Sequence, residues 1–287
     1  MLIPGPDVYL ELKMLGTIIS AIAYGIVIVL SGNCFLLLVK KRGIYSNRMR
    51  IFLVIYVTVM LVISTWAIIQ SIWGITLLIF QDVNVPESLL ISYSPDTLPL
   101  AIWGADGFMI WRCIVLYQDV ARGPRVLVVV LLSLLSIFSL ACGVLMFVGL
   151  NADDSLFTVV LIIFSLLVNI ILALLIVLRL VHHQRRIQKV LGAEHGSPYS
   201  KIITMCVESS ALMLIFSGVY AVLVFEQANG SLIPFLLFPH ICVISPLLIV
   251  YRVAKGRSMT TTLKSSERAT AQIRFNDPPS SRSEGDL

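Results

Sequence analysis

Seven long apolar runs separated by short polar breaks set the pattern of this chain. They cover residues 15–39, 51–73 (with the apolar character carrying on toward Phe80), 98–117, 126–150, 157–181, 202–225 and 233–251. About 20 apolar residues at 1.5 Å each cross a hydrocarbon core of about 30 Å. Each run therefore predicts a membrane-spanning helix, and the chain predicts an all-α, polytopic seven-helix bundle. Residues 1–14 read as a short outer N-terminus. Residues 1–13 have no basic n-region and no cleavage pattern, and the first run is too long for a signal h-region, so no removable signal peptide is expected. Residues 252–287, rich in Ser, Thr, Arg and Pro, read as a disordered cytoplasmic tail. The cluster Ser258, Thr260, Thr261, Thr262, Ser265 and Ser266 is a candidate for phosphorylation, although such clusters are common in disordered tails.

Composition agrees with lipid as the solvent. Of the 287 residues, 58% are hydrophobic and 13% charged, against about 45–50% and about 25% in an ordinary soluble domain. That is too little charge to coat a water-soluble fold. A net charge of +5 is of the sign that nucleic acid attracts, but its placement points elsewhere. Twenty of the 21 Lys and Arg residues fall in alternate breaks, in the third and fifth helix ends, and in the tail, leaving only Lys13 on the other side. By the positive-inside rule the basic side is cytoplasmic and the amino terminus outside. The opposite breaks carry Asp82, Glu87, Asp96, Asp153, Asp154 and Glu226. The one N-x-S/T sequon, at Asn229, lies among them and is a candidate for glycosylation if it stands clear of the membrane. The basic start of the tail is expected to rest on anionic lipid.

The five cysteines, Cys34, Cys113, Cys142, Cys206 and Cys242, all sit inside apolar runs, so neither an outer disulfide nor a zinc spacing is expected. His182 and His183 resemble metal ligands but are adjacent and point to different helix faces, which favours a solvated helix extension. No catalytic, cofactor or metal site emerges.

Four ionisable residues remain at membrane depth: Asp106 and Arg112 in the third run, Glu208 in the sixth, and His240 in the seventh. A charge near the middle of a bilayer is costly and faces the bundle interior. The rise per residue puts Arg112 and Glu208 about 9 Å from the inner surface, and Asp106 and His240 about 18 Å. Two layers of complementary chemistry follow, Arg112 with Glu208 and Asp106 with His240. Six residues along a helix turn the direction by about 120° net, so Asp106 and Arg112 face different neighbours. The bland alternatives are that Arg112 snorkels to the surface, that Glu208 is protonated and bonded within its own bundle, and that His240 satisfies carbonyls freed by Pro239. Asp106, short and deep, is hardest to explain away; it shares a stripe with Trp103, Gly107, Ile110, Cys113 and Tyr117. Gly107 would let another helix approach closely. Pro239 and Pro246 should kink the last helix.

Seven spans with the amino terminus outside resemble the G-protein-coupled receptor architecture. Three blocks, Ala105–Cys113 (ADGFMIWRC), Val207–Leu212 (VESSAL) and Ile244–Val253 (ISPLLIVYRV), are similar to a group of seven-helix membrane proteins expanded in basidiomycete fungi. That resemblance covers most of residues 15–255 and implies the fold, with no particular ligand. Trp111-Arg112-Cys113 and Ser245-Pro246 stand roughly where rhodopsin-like receptors have Asp-Arg-Tyr and Asn-Pro-x-x-Tyr, and neither matches. With no lysine inside an expected span, a retinal Schiff base is excluded at this stage.

The resulting expectation is a receptor-like protein, in the plasma membrane, that senses an outer or membrane-borne ligand. It would signal through its basic inner face to a partner such as a heterotrimeric G protein. The alternative is a small-molecule or lipid transporter with Asp106 as an intramembrane ion or proton site, although neither paired halves nor matching broken helices are evident. An intramembrane enzyme is not expected, because one buried His is too few for metal-dependent hydrolysis.

Overall fold

The computed structural model describes residues 6–40, 47–80, 97–117, 122–148, 154–191, 197–226 and 229–275. Among these, seven α-helices form: α1 (Pro6–Lys40), α2 (Asn47–Phe80), α3 (Thr97–Leu116), α4 (Arg122–Val148), α5 (Asp154–Leu191), α6 (Ser197–Phe225) and α7 (Leu232–Phe275). A short 3-10 turn over Asn229–Ser231, which holds the sequon, leads into α7. The expected outer loop at 81–96, the basic residues Lys41 and Arg42, Asp153 and the tail end 276–287 lie outside the described residues.

Among the described residues six helices are long and apolar enough to cross a membrane, over Val8–Lys40, Asn47–Phe80, Thr97–Val115, Ile162–Arg179, Val207–Phe225 and Leu232–Lys255. Seven spans were expected. α4 itself runs 27 residues, Arg122–Val148; the apolar stretch of it whose side chains are described, Arg125–Ala141, covers about 26 Å at 1.5 Å per residue.

Many large apolar residues face outward. On α1, Ile18, Ile22, Ile26, Val29 and Leu36 are exposed, while Ser20, Ala23, Val27, Ser31 and Cys34 are buried. On α4, Leu127, Leu134 and Ile137 are exposed and Ser139 is buried. Water would not tolerate this arrangement over a whole molecule; lipid does. Burial of apolar surface drives little helix association in a bilayer, so close packing of small residues and interhelical hydrogen bonds hold the bundle together.

Two helices form its centre. In α7, 83% of the apolar span is buried, against 50% or less in the others. α7 packs on α1, α2, α3 and α6, most extensively on α1, while α3 packs on α2, α4, α5 and α7. The close approaches are made at glycines. A Cβ at Gly16 would lie 2.9 Å from Leu236 Cδ1 and 3.4 Å from Ile233 Cα, so α1 reaches α7 only because that atom is missing. Gly143 of α4 makes room for the Trp103 ring, whose Nε1 donates to the Ser139 carbonyl at 3.1 Å. On α3 the glycine of close approach is Gly104, under Met60 of α2. Gly107, expected in that role, is exposed with nothing within 4 Å of its missing Cβ. The reason is angular: with Asp106 turned inward, the next residue is carried about 100° round the helix to the outside.

Three boundaries differ from expectation. α1 starts at Pro6, which brings Lys13 into the span, where it is only 5% exposed. This corrects the view that every lysine lies outside the spans, on which the exclusion of a retinal Schiff base rested. α5 runs on to Leu191, carrying an exposed His182 as a helix extension. α7 continues to Phe275, where an irregular tail was expected from residue 252. Between Gly256 and Pro278 the chain has no helix breaker, and Lys264, Glu267, Arg268, Ala269, Ala271 and Gln272 are good helix formers. Pro239 and Pro246 lie inside α7. The turn before Pro239 is supported from outside, since Ser20 Oγ donates to the Leu236 carbonyl at 3.2 Å. Ser245 Oγ in turn donates to the Ser209 carbonyl of α6 at 2.9 Å.

Gly16→Val should lower the unfolding midpoint in detergent, at a cost of about 1–3 kcal/mol from overpacking. Gly25→Val, where nothing lies within 4 Å of the added Cβ, should change it by no more than about 0.5 kcal/mol. Equal effects would contradict the assigned α1–α7 contact.

Candidate functional site

Among the described residues two clusters of interior polar groups surround Asp106 and His240, one built by i,i+4 spacing on α5 and the other by proline-bearing α7. Ser165 and Asn169, one helical turn apart, lie on the face of α5 that packs on α3. There Asn169 Nδ2 donates to Asp106 Oδ1 at 3.1 Å and Ser165 Oγ donates to Oδ2 at 3.4 Å. Asn169 Nδ2 is also held by the Ser165 carbonyl at 2.9 Å, which fixes the amide's direction. All three side chains are buried, Asp106 at 3% exposure. Among the described residues no cation pairs with Asp106; two neutral donors meet its carboxyl. Tyr56 of α2 and Cys242 of α7 lie within electrostatic reach of it.

The second cluster joins α1, α2 and α7. His240 has zero exposure, and its Nδ1 stands 2.7 Å from Ser64 Oγ. Tyr24 lies beside it, with ring centroids 6.0 Å apart. Tyr24 Oη is 2.9 Å from Thr65 Oγ1, and Thr65 donates its only hydroxyl hydrogen to the Leu61 carbonyl at 2.8 Å. Tyr24 is therefore the donor to Thr65. His240 Nε2 and Thr17 Oγ1 are buried without a hydrogen-bond partner.

Both expected charge pairs are corrected. Asp106 meets Ser165 and Asn169, not His240. Glu208 forms an ion pair with Arg252 of α7, not with Arg112. The depth estimate was blind to helix order: α3 packs on α2, α4, α5 and α7, whereas α6 packs on α5 and α7, so the helices bearing Arg112 and Glu208 are not close neighbours. Arg112 is half-buried, with its guanidinium carbon 6.0 Å from the Phe108 ring centroid and Nη1 buried without a hydrogen-bond partner. Phe108 in turn stacks on Tyr56 at 4.7 Å and tilts against Trp111 at 5.6 Å, which itself meets Phe52 at 5.0 Å. The Ala105–Cys113 block is thus the α2–α3 seam as well as the carrier of Asp106.

At the end of the bundle where α3, α5 and α7 bring their basic residues, Tyr117 donates to the Leu175 carbonyl at 3.2 Å, and Arg179 lies 5.7 Å over the Tyr117 ring. Lys255 lies 5.6 Å over Tyr251. Cys34, Cys113 and Cys242 are free and buried. Among the described residues no three His, Cys, Asp or Glu side chains come together as a metal site.

Sequence reasoning missed Ser165, Asn169 and Ser64 because only ionisable residues were sought at depth. The readable signal was a Ser-x-x-x-Asn in an apolar run, which puts two donors on one helix face. It also missed Arg252, counted with the tail, as the partner of Glu208. Comparison of the chain with protein families, with curated proteins and with solved structures finds no match.

Asn169→Leu should lower stability by about 1–3 kcal/mol, because a buried carboxyl loses its better donor. Asp106→Asn, which keeps the shape and removes the charge, should cost less than Asn169→Leu in the same thermal unfolding assay. The reverse order would contradict the assigned cluster.

Proposed function

We propose that this chain is a seven-helix, receptor-like membrane protein, with α4 as the remaining span, whose basic end faces the cytoplasm. The positive-inside distribution supports that orientation, and the plasma membrane is the site where an outer ligand would be met. The observation that carries the reading is the ion pair between Glu208 of α6 and Arg252 of α7. It ties the basic end of α6 to a helix with two prolines. A partner such as a heterotrimeric G protein would bind the state in which this tie is open, and a ligand on the far side would shift the same equilibrium.

The pair is partly exposed, 59% at Glu208 and 29% at Arg252, so it is worth about 0–1 kcal/mol. Such a latch suits a switch between states of similar energy. Glu208→Gln should therefore raise basal nucleotide exchange by a co-reconstituted G protein up to about fivefold, and the reversed pair Glu208→Arg with Arg252→Glu should return it toward the starting level. No exchange above the protein-free rate with the wild type and with either variant would remove the reading.

One observation favours transport as the second reading: Asp106 is deep, buried and met by neutral donors, as a proton or cation site would be. The two readings separate in proteoliposomes loaded with a pH-sensitive dye. The receptor reading expects no ion-driven proton flux; flux abolished by Asp106→Asn would establish transport instead.

A further inference from the structure

The face of α1 turned toward α2 and α7 carries a file of polar side chains. Lys13, Thr17, Ser20 and Tyr24 follow at i, i+4, i+7 and i+11, which keeps them on one side of the helix over about 16 Å. All but Tyr24, which is half-buried, are buried. Lys13 sits 5.8 Å from the Tyr9 ring centroid, and its Nζ lies against Gly74 of α2, 3.4 Å from where a Cβ would be. Ser20 bonds to α7 through Leu236, and Tyr24 to α2 through Thr65. The file ends at His240, deep between α1, α2 and α7. One turn further along α1 the same face closes with Val27, which has zero exposure, and beyond it with Ser31.

Among the described residues three polar atoms along this face lack a partner: Thr17 Oγ1 near its start, His240 Nε2 at the end of the file, and Ser31 Oγ beyond Val27. The tautomer of His240 follows from Ser64. A Ser64 hydroxyl that donates to Nδ1 satisfies both groups and leaves Nε2 protonated, as a donor with no partner among the described residues; the other tautomer strands the hydroxyl hydrogen as well. Buried donors that no protein group satisfies take water where the site is polar and offers two or more partners, and ionisable groups at membrane depth face water-filled cavities.

We propose that the α1–α2–α7 seam is a hydrated polar cleft, open at the end of the bundle where α1 begins and closed at His240. Water binds along Thr17, Ser20 and Tyr24 and accepts a hydrogen bond from His240 Nε2. The cleft is separate from the α3–α5 cluster that holds Asp106, and it stands whether the protein signals or transports.

Radiolytic hydroxyl-radical footprinting of the unmodified protein in lipid nanodiscs tests this, since it labels side chains that touch ordered water. Tyr24 and His240 should be modified at least tenfold faster than Tyr56 and Phe238, which the cleft does not reach. Cysteine substitutions provide a second readout. Thr17→Cys and Ser20→Cys should react with a water-soluble methanethiosulfonate at least tenfold faster than the native Cys34, which lies past Val27 with zero exposure. A dry seam, with Tyr24 and His240 modified no faster than Tyr56 and Phe238, would overturn the proposal. So would labelling at positions 17 and 20 no faster than at Cys34 in variants that retain the wild-type unfolding midpoint.

Discussion

A polar atom inside a bilayer has no water to fall back on, so each one in this chain is placed by what a neighbouring helix can offer it. The contact between Asp106 and the α5 pair Ser165 and Asn169 is the clearest instance. It crosses between two helices, it orients an amide through a second bond to its own backbone, and it sets the rotation of α3. That rotation puts Phe108 against Tyr56, turns Gly107 outward and leaves Gly104 to meet Met60. The same rule acts on α7, where a helix interrupted by two prolines takes its supplementary bonds from Ser20 and gives one to α6.

The large-scale order of the fold was legible because lipid imposes a length on apolar runs. Helix positions and the apolar exterior follow from that constraint, and among the described residues six of the seven runs yield helices that satisfy it over their described length. The ends were less legible. Lys13 looked like a boundary marker, yet Gly74 and Tyr9 give it a place inside the bundle. Arg252 looked like the first residue of a tail, yet α7 carries on as a helix to Phe275.

The pairing of interior residues was the least legible part, and the cause is physical. Depth along each helix could be counted from the sequence, but which helices touch could not. Matching Arg112 to Glu208 by depth alone joined two helices that the packing separates. Matching Asp106 to His240 assumed that a buried acid seeks a base, when two neutral donors on the adjacent helix were nearer at hand. Serine and asparagine in an apolar run deserve the same scrutiny as charged residues, since in lipid their hydrogen bonds have few competitors.

The central claim is that Asp106 is held by α5 and not by His240. Double-mutant cycles on unfolding in lipid test it directly, with alanine at Asp106, Asn169 and His240 in the pairwise combinations. The account predicts a coupling of about 0.5–3 kcal/mol between Asp106 and Asn169, and additivity within about 0.5 kcal/mol between Asp106 and His240. A coupling to His240 larger than that to Asn169 would contradict it.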